Sequence, residues 1–162
     1  MAVPAWSART RAEHARHLGF LLLQTGEPAA GERLIREAMA TDATYAQPHL
    51  DLGVMAGSRG DDAGALADFE RAVQCEPRNP GAHYNRGIAL RQLGRVQDAE
   101  AAFREAIRCG ATEAAVFNSL AALLWNQGRI AEACDIYRQT LRLHPDDAEA
   151  RRSLQEATVK AR

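Results

Sequence analysis

The sequence predicts an all-α solenoid of four helical hairpins in tandem, closed by a C-terminal capping helix. Three observations carry that expectation. Glycine recurs at Gly26, Gly60, Gly94 and Gly128, always 34 residues apart, with no insertion or deletion between copies. Small residues hold two registers, one at Gly31, Ala65, Ala99 and Ala133 and one at Ala38, Ala72, Ala106 and then Thr140, while Ile35, Phe69, Phe103 and Tyr137 hold a large one. Within each period the apolar residues recur at spacings of three and four, the pattern of an amphipathic helix, and no alternating β-branched run supports a strand. A fixed period of this length marks an array in which each copy buries its apolar face on its neighbours.

The elements follow in order. Residues 1–11 form an N-terminal extension, and the repeats run 12–45, 46–79, 80–113 and 114–147. In the first repeat, Leu18, Leu21 and Leu22 mark one helix, Gly26 ends it in the left-handed conformation that glycine adopts without a clash, and Pro28 falls in the first turn of the next. The second repeat has Pro48 in its first turn and Pro77 after the end of its second helix. Its stretch GVMAGSRGDDAGAL, from Gly53 to Leu66, crowds four glycines into one segment, each non-terminal one costing a helix about 1 kcal/mol relative to alanine. Pro80 opens the third repeat, while Leu120, Leu123 and Leu124 pattern the fourth, in which Pro145 follows the end of the second helix. Residues 148–162 read as a capping helix that turns Ala150 and Leu154 to the last hairpin and leaves Arg151, Arg152, Gln155 and Glu156 in water.

The stretch NRGIALRQLGRVQDAEAAFREA, from Asn85 to Ala106, carries a glycine, alanine and phenylalanine skeleton that resembles the tetratricopeptide repeat family, with Arg86 standing where leucine is usual. The tryptophan the family favours early in the repeat is Ala15, His49, His83 and Phe117 here. The resemblance implies a right-handed α-solenoid whose first helices line a concave wall. Carried over position by position, it implies a binding surface of Arg16, His17, Phe20 and Leu23 from the first repeat and Leu50, Asp51 and Val54 from the second. Tyr84, Asn85, Ile88 and Arg91 follow from the third, and Asn118, Ser119 and Trp125 from the fourth. Large apolar and aromatic groups on a solvated face point to an interaction site. Trp125 is the sharpest anchor, with packing against a neighbouring helix as the alternative. A subclass of the family grips a terminal carboxylate with lysine, asparagine and arginine. Here Phe20 and Asp51 replace its asparagines and Gly81 replaces a lysine, so binding of a chaperone tail is not expected.

A formal net charge of −1 gives no general attraction to nucleic acid, and no apolar run is long enough for membrane insertion. Arginines alternate with carboxylates, as in Glu32 with Arg36 and Glu100 with Arg104, on what reads as a solvated outer face. The three cysteines lack CxxC spacing, and Cys75 and Cys109 sit one repeat apart, too far for a disulfide; reduced thiols point to the cytoplasm. There is no phosphate loop, nucleophile elbow or HExxH helix, and no spacing assembles three metal ligands. His14 and His17, one turn apart, lack a third ligand, and His49 and His83 read as polar substitutes for the packing tryptophan. The expectation is therefore no catalysis, no cofactor and no metal. The function implied is a protein-binding adaptor or scaffold that takes a peptide or helix in its groove, with self-association left open. Two alternatives stand beside it: a chaperone of a hydrophobic client such as a secretion substrate, and the regulatory domain of an enzyme such as a glycosyltransferase.

Overall fold

The computed structural model describes residues 6–160, with side chains to residue 157. Among them are nine helices and no strand: α1 (Ala8–Gln24), α2 (Pro28–Thr41), α3 (Ala46–Ser58), α4 (Asp62–Cys75), α5 (Pro80–Gln92), α6 (Val96–Arg108), α7 (Ala114–Asn126), α8 (Ile130–Leu143) and α9 (Ala148–Lys160). Each odd helix packs on the even helix after it, from α1 on α2 to α7 on α8, and α9 packs on α8. The all-α hairpin array is the one expected. The chain forms two compact halves, one up to Arg78 and the other from Asn79.

Chain chirality sets the turns. Gly26, Gly60, Gly94 and Gly128 have φ of 91°, 79°, 73° and 77°, a region that side chains of L-residues rarely enter. Immediately after each, a backbone N–H reaches back to close the helix end: Glu27 to Leu22 O, Asp61 to Ala56 O, Arg95 to Leu90 O and Arg129 to Leu124 O, at 2.9–3.0 Å. Starts are set by caps and prolines. Asp61 accepts from the Gly64 N–H, Asn79 from the Ala82 N–H, and Pro28 and Pro80 stand at first helical positions where a missing N–H costs nothing. The first helix differs from its expected start. Ser7 accepts from the Thr10 N–H and caps a helix that runs from Ala8, so residues 8–11 of the extension are helical.

Close approach within a hairpin depends on a bare Cα facing a ring. A Cβ on Gly53 would come within 2.5 Å of the Phe69 ring, and one on Gly87 within 2.6 Å of the Phe103 ring. The large ladder thus packs on a bare Cα across the second and third hairpins, and Phe69, Phe103 and Tyr137 are all buried. At the C-terminal end Ala150 is buried and Leu154 half-buried, while Arg151, Arg152, Gln155 and Glu156 face water.

Candidate functional site

The positions expected on the binding wall come, in the first half, from α1 and α3. Phe20 and Val54 hold the same place in successive repeats and remain 45% and 54% exposed, with His17 exposed beside them. Leu23 is half-buried because its side chain folds over the bare Cα of Gly31 in α2. Leu50 is a correction: at 7% exposure it belongs to the interior rather than to an open wall.

Arg16 and Asp51 are committed to each other. Arg16 Nε donates to Asp51 Oδ2 at 2.7 Å, the side chains are only 17% and 11% exposed, and Gln47 Nε2 donates to Asp51 Oδ1 at 3.0 Å. This partly buried pair ties α1 to α3, so its charges cancel where the resemblance placed two ligand contacts. Replacing Arg16 by alanine is expected to cost about 1–3 kcal/mol of stability, because the Asp51 carboxylate loses its cation in a partly dry place. A double-mutant cycle with Asp51→Ala checks this. Strict additivity would show that the two side chains do not support each other.

The second half places Asn85, Ile88, Ser119 and Trp125 in half-buried positions on α5 and α7, with Arg91 exposed. Tyr84 tilts against Phe103, ring centroids 5.9 Å apart, and belongs partly to the core. Asn118 is the second correction. It is 5% exposed, and its Nδ2 donates to Asp147 Oδ1 at 3.1 Å and Glu149 Oε2 at 3.2 Å, so it holds the start of α9. Burial and these bonds to two carboxylates make it a structural clamp.

The histidines in the tryptophan positions are indeed inside their hairpins, His83 buried and His49 half-buried. Burial pushes the His49 imidazole below its ordinary value and the neighbouring Asp68 carboxyl above its own, across a 3.8 Å gap, so the imidazole is uncharged at neutral pH. The arginine-carboxylate face goes beyond the expected pairs within one helix. Glu100 is paired to Arg104 at 3.0 Å and also to Arg129 at 2.6 Å, joining α6 to the turn before α8. The expectation that no three metal ligands assemble is corrected: His83, Glu105 and Cys109 bring their ligand atoms within 4.8 Å of one another. Glu105 and Cys109 are four apart at the end of α6 and were legible as neighbours. The approach of His83 from α5 was not.

No helix among the described residues is long and apolar enough to cross a membrane. Models of the tetratricopeptide repeat match residues 6–37, 50–114 and 114–157. No curated protein sequence matches the chain. Solved structures do resemble it in fold. PilF of Pseudomonas aeruginosa is 20% identical, with a TM-score of 0.82 over 95% of this chain and 70% of its own. MamA is 20% identical with a TM-score of 0.78 over 88% and 84%. The first tetratricopeptide repeat domain of Spaghetti (RPAP3), bound to the HSP90 peptide SRMEEVD, is 21% identical with a TM-score of 0.68 over 75% and 97%. With the 34-residue hairpins, the left-handed turn glycines and the small and large ladders, these matches establish that the chain belongs to the tetratricopeptide repeat family.

Proposed function

We propose that the chain is a non-enzymatic protein-binding module that takes an apolar peptide or helix against the open face of α1 and α3. One observation carries the reading: Phe20 and Val54, at one register position of successive repeats, keep about half their surface in water, and Leu18 and Leu21 of α1 are as exposed. Leaving them exposed is costly unless a partner covers them. Neutralisation of Arg16 by Asp51 makes the adjoining wall uncharged overall, which favours an apolar segment over an acidic tail. Trp125 is a second anchor, on the face of α7 in the other half. The peptide in the complex of the RPAP3 domain supports peptide binding as the use of such a fold. Three cysteines outside any disulfide support a reducing compartment such as the cytoplasm.

Selection of displayed random peptides on the full chain tests this, followed by affinity measurements on variants. Peptides that engage the first half should be enriched in large apolar residues and should lose binding to a Phe20→Ser, Val54→Ser double variant whose melting temperature is unchanged. Peptides that engage the second half should bind Trp125→Ala more weakly by about 1–3 kcal/mol, roughly 5- to 150-fold. Recovered peptides that bind all variants equally well would sink the proposal. A melting temperature lowered by many degrees in Trp125→Ala would instead assign that tryptophan to the core.

A further inference from the structure

We propose that His83, Glu105 and Cys109, which converge between α5 and α6 of the third hairpin, form a binding site for one zinc-type divalent transition-metal ion. Glu105 is in the last turn of α6 and Cys109 is its C-cap one turn on, and the Cys109 thiol donates to Glu105 Oε1 at 3.6 Å. His83, on α5, brings a ring nitrogen to them, and the three ligand atoms lie within 4.8 Å of one another. Zinc bonds of about 2.0–2.3 Å place tetrahedral ligands roughly 3.3–3.8 Å apart, so side-chain adjustments of about 1 Å close the site.

The donor set suits the ion. Imidazole nitrogen, thiolate sulfur and carboxylate oxygen together select a borderline-soft cation such as zinc over calcium or magnesium, which take oxygen alone. His83 is buried, so packing fixes its ring, while Glu105 and Cys109 are half-buried and open the site to solvent. That leaves a fourth position for water. Arg108 also holds Glu105, with Nε donating to Oε2 at 2.7 Å and Nη2 donating to Oε1. A carboxylate has about four lone-pair sites, more than Arg108 and the thiol engage.

The repeat supplies an internal control. In the second hairpin the same three positions are His49, Arg71 and Cys75, and these line one cleft with Ala43, Thr44 and Gln74. A guanidinium stands where the third hairpin has a carboxylate, which repels a cation, and Cys75 donates to the Ala43 carbonyl at 3.2 Å. The first hairpin has Ala15, Glu37 and Thr41 at these positions, and the fourth has Phe117, Gln139 and Leu143. The full ligand set therefore occurs in the third hairpin alone, and one ion per chain is expected.

The test uses the full chain without an affinity tag, stripped by chelator and then dialysed against zinc, with cobalt(II) as the spectroscopic probe. One equivalent of zinc should bind and raise the melting temperature, because the ion cross-links α5 to α6 only in the folded state. Cobalt should give a thiolate-to-metal charge-transfer band. Cys109→Ser should abolish that band, Glu105→Gln should weaken zinc binding roughly 10- to 100-fold or more, and Cys75→Ser should change neither. Both ligand variants replace half-buried groups near-isosterically, and circular dichroism of the metal-free forms checks that they fold. Absence of a thiolate band, its persistence in Cys109→Ser, or zinc binding indifferent to Glu105→Gln would each overturn the assignment.

Discussion

Truncating Phe103 to alanine should lower the unfolding free energy by about 3–5 kcal/mol, the range for emptying a buried aromatic site. Phe103 is fully buried, its ring lies on the bare Cα of Gly87, and Tyr84 tilts against it from α5. Urea unfolding followed by helical circular dichroism measures the effect as a fall in midpoint at constant slope. Gly87→Ala approaches the same contact from the other side. Its new Cβ would lie 2.6 Å from ring atoms that have nowhere to move, so about 1–3 kcal/mol should be lost to overpacking. Combined, the two changes should cost less than their sum, since the truncated ring vacates the space the methyl needs. Full additivity would mean that the ring does not rest on Gly87.

Removing residues 148–162 should destabilise the second half by about 3 kcal/mol, roughly 6–12 °C in melting temperature, and promote self-association. The helix α9 is fastened by several contacts at once. Asp147 accepts from the Ala150 N–H at 2.8 Å and from Asn118 Nδ2 at 3.1 Å, Asn118 Nδ2 also reaches Glu149 Oε2 at 3.2 Å, and Ala150 is buried. Without α9 the Tyr137 ring loses its cover and Asn118 loses Glu149, leaving an apolar face with a severed polar rim. Thermal melting and light scattering of the truncated chain decide the matter. A monomer that melts at the temperature of the full chain would reduce α9 to a tail.

The 34-residue period by itself determined the hairpins, the turns and the kind of surface to look for. A left-handed turn needs glycine at a particular place, and a helix pair needs a small residue opposite a ring. Both requirements act between residues close in the chain, so Gly60, Gly53 and Phe69 announce their roles wherever the repeat recurs. The same register identified Phe20 and Val54 as equivalent, and both are open. Register specifies which way a side chain points within its own hairpin but not what the next helix sets against it. That is why Arg16 is consumed by Asp51, why Leu50 and Asn118 are interior, and why only the packing of α5 on α6 brings His83 to Glu105 and Cys109. Those pairings depend on the axial shift between packed helices and on rotamers chosen by crowding, quantities that no periodicity along one chain encodes and that only the tertiary structure decided.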